Sequence, residues 1–189
     1  MEKYREYVND LAQKRVNNTF FNSDEAHALE VFINLFQIAK GEIRIFAGNL
    51  CSDVANKPEY IEKISDFIEK NGIVKILLND YDKEKSIDSN LFLRLALYKS
   101  LGKNIHIKTT SIKPYYTSDP DKKEIHFTVV DNNAYRIETD INDRTASCNF
   151  NNDIEGNSLV VFFDSIFNDE ASLDIDLLSL FNLNENGDK

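Results

Sequence analysis

The sequence lacks tryptophan and carries two cysteines, three prolines and one methionine among its 189 residues. Cys51 and Cys148 are too few for a disulfide framework and lack the clustered spacing of a zinc site. Reduced thiols in a cytoplasmic protein are the expectation. No apolar run approaches the roughly 18–20 residues a bilayer span needs, so no membrane segment is expected. The opening MEKYREYVND is charged from its second residue, unlike a secretory leader. There is no glycine-rich phosphate loop. The three histidines, His27, His106 and His126, show no metal-ligand spacing, so neither a metal nor a cofactor is expected.

Positive charge is also short. Against 32 acidic residues stand 22 basic ones, for a net charge of −10. Affinity for nucleic acid comes mainly from Lys and Arg neutralising phosphates, so this balance argues against a nucleic-acid partner. Part of the acid lies near the end, in DEASLDID and NENGDK, and the body is less acidic than the total.

Hydrophobic residues make up 42% of the chain, and 13 of them are Phe. That supports one domain with a Phe-, Ile- and Leu-rich core. Residues 1–18 have helical spacing through Tyr4, Val8 and Leu11. Asn22 and Glu25 fit a capping box for a second helix with Ala28, Leu29, Phe32, Ile33, Phe36 and Ala39 on one face. Lys40-Gly41 ends it. EIRIFAG reads as a strand, 58–71 as a helix opened by Pro58, IVKILLND as a buried strand and NIHIKTT as a third. A helix with Leu91, Leu95 and Tyr98 separates the last two, after a polar loop YDKEKSIDS. Strands alternating with helices imply a parallel sheet with right-handed crossovers. KEIHFTVVD and AYRIET then form a hairpin about Asn132-Asn133. After a polar stretch, DINDRTASCNFNND, comes a helix with Leu159, Phe162, Phe163, Ile166 and Phe167. The expected fold is α/β: a mixed, mostly parallel sheet flanked by helices.

The hairpin holds the candidate site. Alternation puts Ile125, Phe127 and Val129 on one face, and Glu124, His126 and Thr128 on the other. Polar groups in mid-sheet need partners. Arg136 and Glu138 share a face of the next strand and suggest an ion pair.

The order of elements, with a histidine strand ending in Val129-Val130-Asp131, a hairpin and Asn149-Phe150 before an apolar helix, resembles one half of the phospholipase D superfamily over about residues 22–168. That family's motif is His, any residue, Lys, four residues and Asp, followed by a hairpin and Gly-Ser. The resemblance implies a histidine nucleophile, a phosphate-holding lysine, and two halves joined around one site. It implies no metal. Here the motif departs. Aligned on Asp131, Glu124 takes the nucleophile position, His126 the lysine, Glu138 the glycine and Thr139 the serine. Slipped by two residues, His126 becomes the nucleophile and Thr128 replaces the lysine. Both alignments aim His126 at the cleft, and neither supplies the lysine. Glu124 and Glu138 then stand where a phosphate would sit, and like charge repels an anion. His106-Ile107-Lys108 is a literal His-x-Lys, but Lys113 stands where the motif needs Asp, so chance alternation accounts for it.

The candidate catalytic residue is His126. Glu124, Thr128, Asp131, Glu138, Thr139, Asn149 and Asn151 are the candidate cleft residues, although Asp131 also suits a turn and the asparagines a helix cap. The chain divides into a helical extension (1–21), the phospholipase D-like half domain (22–168) and an acidic tail (169–189). The tail's LDIDLLSLF is either a docked final helix or a segment offered to a protein partner. The function expected is a catalytically degenerate domain acting through homodimerisation and protein binding as a regulatory or accessory component. The alternative is a dimeric, metal-independent phosphodiesterase or nuclease using His126.

Overall fold

The computed structural model describes residues 1–116, 119–141 and 144–184. Helix α1 (Glu2–Gln13) leads to β1 (Phe20–Asn22) and α2 (Glu25–Ile38). Then come β2 (Glu42–Ala47), α3 (Pro58–Glu69), β3 (Ile73–Leu78), α4 (Lys83–Ile87), α5 (Asn90–Ser100) and β4 (Ile105–Thr109). Strands β5 (His126–Val130), β6 (Ala134–Asp140) and β7 (Thr145–Asn149) precede α6 (Asp153–Phe167), β8 (Leu173–Asp174) and α7 (Leu177–Leu180).

All the strands join one sheet in the order β1-β7-β6-β5-β2-β3-β4-β8. It is mixed and flanked by helices, as the sequence predicts. Only β2–β3 and β3–β4 pair in parallel, and the other pairings are antiparallel. The expectation of a mostly parallel sheet is thus corrected. The parallel part is confined to strands linked by crossover helices. Three further strands, β1 and β7 in segments read as polar and β8 in the stretch read as a final helix, all add antiparallel.

Burial on both faces explains the uninterrupted apolar runs of the central strands. On one face, Ile43, Ile45, Val74 and Ile76 pack with α1, α2, α3 and α5 in the larger core. On the other, Phe46, Leu77, Phe127 and Val129 pack under Leu159, Phe163 and Phe167 of α6. Arg44, on the α6 face, is 8% exposed and makes a two-pronged contact with Asp164 at 2.9 and 3.0 Å.

Several local readings change. Asp24, not Asn22, caps α2: its carboxylate accepts from the His27 N–H at 2.8 Å. Asn22 lies in β1, opposite Ala146. The segment YDKEKSIDS contains the short helix α4. DINDRTASCNFNND contains β7, whose Ala146 and Cys148 are buried despite the segment's polarity. The expected boundary at 21/22 falls inside β1, and α1 buries Val8, Leu11 and Ala12 in the shared core. LDIDLLSLF docks: β8 pairs with β4, and Leu177 is 4% exposed. No helix among the described residues is long and apolar enough to cross a membrane.

Asp131 stitches the hairpin to β2. It occupies the left-handed region at φ 52°, and its carboxylate accepts from the N–H groups of Gly41 (2.8 Å), Glu42 (3.2 Å) and Lys40 (3.2 Å). Gly156 of α6 crosses the same hairpin so closely that an added Cβ would lie 2.3 Å from the Asn132 carbonyl oxygen and 2.6 Å from Asn133 Cα. Gly156→Ala should therefore destabilise by about 1–3 kcal/mol through overpacking, reversing the roughly 1 kcal/mol gain expected in an open helix. Denaturant midpoints measure it, and a more stable variant would contradict the close approach.

Candidate functional site

The polar face of the hairpin is built by register. His126 pairs with Glu138 across β5 and β6, and Thr128 with Arg136. Directly opposed residues on one face interact, so this pairing alone brings the four side chains together. They face the larger core's helices. Beyond the carboxyl end of β2 they line a cavity of about 230 Å³ with Phe32, Ile45, Gly48, Tyr60 and Arg144. Crevices outside the carboxyl ends of strands are where α/β sheets commonly hold ligands. This one is below the roughly 300–1,000 Å³ of typical ligand pockets. Gly48 matters for its close approach to the histidine: a Cβ there would sit 3.4 Å from His126 Cε1.

His126 lies between two carboxylates. Its Nε2 is 3.2 Å from Glu124 Oε1, and its Nδ1 is 3.6 Å from Glu138 Oε2. Glu124 also accepts from the Asn79 amide at 2.8 Å and faces Lys113 at 3.6 Å. Glu138 Oε1 stands 3.2 Å from Arg136 Nη2 and 3.6 Å from Arg144 Nη1. Arg136 is 3% exposed. Its Nε donates to Asn22 Oδ1 at 2.9 Å, its Nη2 donates to the Arg144 carbonyl at 3.2 Å, and its guanidinium lies 5.0 Å from the Phe32 ring centre.

The electrostatics follow from these contacts. Burial acts to raise the Glu138 carboxyl, but the His126 ring, Arg136 and Arg144 outweigh it and hold it below the ordinary range. Burial raises Glu124 too, and the Asn79 amide and His126 again prevail to lower it. Both groups are anions beside the histidine. Burial pushes the Cys148 thiol up to about 12, so it stays protonated and unreactive.

The candidate residues separate into two groups. His126, Thr128 and Glu138 line the cavity, and Glu124 touches His126 from its rim. Asp131 does not join them. It lies at the other end of β5, about 17 Å away at 3.4 Å per residue, and serves as the turn anchor described above. Thr139 has the opposite strand parity from Glu138. It is exposed and donates to the Thr145 carbonyl at 3.5 Å. Asn149 lies opposite Tyr135, on the α6 face. It donates to Asn17 at 3.0 Å and accepts from the Asn151 N–H at 2.9 Å, so both asparagines shape the turn into α6.

Sequence reasoning missed Asn22, Asn79, Gly48 and Arg144. Asn22 was hidden by its resemblance to a helix cap, and Arg144 by a polar segment with no strand pattern. The pairing of Arg136 with Glu138 was legible from alternation. His106 lies on β4, outside the cavity, where partial burial and then Lys99 and Lys75 lower its pKa. Among the described residues no group of three or more His, Cys, Asp or Glu could hold a metal ion.

Removing Arg136 would strand the buried Glu138 carboxylate. Arg136→Met should cost about 3–5 kcal/mol, the usual penalty for orphaning a buried charge. The lowered Glu138 pKa also has a direction in pH. Its stabilising contribution is complete above the ordinary value of 4.5 and is lost as pH falls through the lower folded-state value. Glu138→Gln should flatten the acid limb of the stability curve. An unchanged limb would show that Glu138 is not ionised in the folded protein.

No protein-family model matches the chain, and no curated protein matches it. Solved structures do. NucT from Helicobacter pylori aligns with a TM-score of 0.58 at 10% identity, covering 85% of this chain and 100% of NucT. Nuc from Salmonella typhimurium, a phospholipase D family member, aligns with a TM-score of 0.54 at 14% identity, covering 84% of this chain and 99% of its own. TrmBL2, an archaeal chromatin protein with a novel mode of DNA binding, gives 0.56 at 12% identity. That match covers 89% of this chain but 58% of TrmBL2. At these identities the likeness is one of architecture: the chain has a phospholipase D-like fold.

Proposed function

We propose that the chain is a catalytically degenerate phospholipase D-like domain that works by self-association and protein binding, as a regulatory or accessory component, and does not cleave phosphodiesters. The observation that carries this reading is the setting of His126 between the carboxylates of Glu124 and Glu138. A phosphodiester approaching the ring would meet two anions in the space where the phospholipase D motif supplies a lysine. The nearby cations do not offset this, because Arg136 and Arg144 face Glu138, and Lys113 faces Glu124. A phosphate could recruit them only by leaving a carboxylate uncompensated, and for buried Glu138 that is costly.

TrmBL2 is a DNA-binding protein. With a net charge of −10, this chain has little to neutralise a phosphate backbone, so we do not extend that property to it.

A second reading, a divergent metal-independent phosphodiesterase or nuclease, draws on one observation: His126 lines the cavity rather than the packed core. Hydrolysis separates the two. Purified protein, in chelator, is offered a chromogenic phosphodiester and single- and double-stranded DNA, beside His126→Ala. The proposed function expects background rates from both proteins, with folding confirmed by circular dichroism. Turnover by the wild type that the variant loses would establish His126 as the nucleophile and overturn the proposal.

A further inference from the structure

We infer that two copies of this chain meet through the face built by α3 and α5, about a two-fold axis close to Leu97. The inference rests on the self-association in the proposed function and says where it occurs.

Helix α5 buries one side and leaves a ridge of leucine on the other. Leu93, Leu97 and Leu101 are 42%, 41% and 62% exposed. Spaced four residues apart, they form one line along the helix. Beside them runs a groove of about 550 Å³ between α3 and α5, with Pro58, Ile61, Leu97 and Tyr98 in its lining. Its α3 rim carries Glu62, Asp66 and Glu69, and its α5 side carries Arg94. Lys63 pairs with Glu62 and Asp66, which leaves the rim net acidic. Arg94 is exposed and has no hydrogen bond or ion pair among the described residues.

The occupant that fits is a second copy. A two-fold interface must be complementary to itself, so one patch has to carry both halves of every contact. This patch carries a ridge and a groove, and an acidic rim with an unpaired arginine. Antiparallel α5 helices crossing at Leu97 set Leu93 of one copy beside Leu101 of the other. Arg94 of each copy then faces the acidic α3 rim of its partner. The other apolar segment on this side is already used. Leu177 of α7 is buried in the core that α5 shares, so LDIDLLSLF is docked within its own chain. A ridge of three leucines belongs to the small end of specific interfaces, and the dimer should dissociate at about micromolar concentration.

Sedimentation equilibrium of the full chain over about 1–500 μM tests this, spanning the dissociation range of such a dimer. The wild type should dimerise. Leu97→Asp, at an exposed helical site, should remain folded and become monomeric. Arg94→Glu should weaken the dimer at least about tenfold, and adding Glu62→Arg should restore it. A dimer that Leu97→Asp leaves intact would overturn this face while self-association stands. A wild type that stays monomeric throughout would overturn both, leaving the ridge to a different partner.

Discussion

The buried guanidinium of Arg136 is the constraint around which this end of the molecule is arranged. A charge at 3% exposure must be compensated, and the compensating groups come from distant parts of the chain. Asn22 of β1 accepts from Nε, Glu138 on the same strand and the Arg144 carbonyl accept from Nη2, and the Phe32 ring of α2 lies beside it. The edge strand β1, the β6–β7 connection and the second helix are therefore held to one side chain. Asn22 also donates to the Arg144 carbonyl at 2.6 Å, which closes the loop of contacts.

That arrangement determines the chemistry of the cavity. Once Glu138 is required as the counter-charge to Arg136, an anion is fixed directly opposite His126 in the sheet. Glu124 adds a second from the approach to β5. The histidine becomes the shared partner of two carboxylates. The fold is phospholipase D-like in its strands and helices, and the arginines of its cavity are held in internal ion pairs with Glu138.

The fold also separates its surfaces. The face under α6 is sealed by aromatic packing, with Phe46, Phe127, Phe163 and Phe167 in one cluster, and Arg44 bound to Asp164 within it. The opposite face is covered by α1, α2, α3 and α5. There the cavity opens near the hairpin, while the leucine ridge lies on the outer side of α5. Apolar surface in contiguous rows is uncommon on soluble chains, whereas scattered single residues are ordinary. This is why the aligned ridge is informative and the single exposed Phe21 is not.

The central strands, the principal helices and the hairpin were legible because hydrophobic periodicity and turn residues are local signals. So was the shared face of His126, Glu124 and Thr128, which follows from the two-residue period of a strand. Asp131 and Thr139 were cleft candidates by motif position and Asn149 and Asn151 by their clustering, although Asp131 also read as a turn residue and the asparagines as helix-cap residues. Strand length, face parity and turn geometry moved them elsewhere. Strand β7 escaped notice because TASCN is buried by its neighbours and not by its own apolarity. The sequence by itself determined that this chain forms a mixed α/β sheet with a histidine on the polar face of a hairpin. Only the tertiary structure decided what surrounds that histidine. Alternation had already paired Arg136 with Glu138, but Asn22, Arg144 and Asn79 join them through long-range packing, which leaves no periodic trace along the chain.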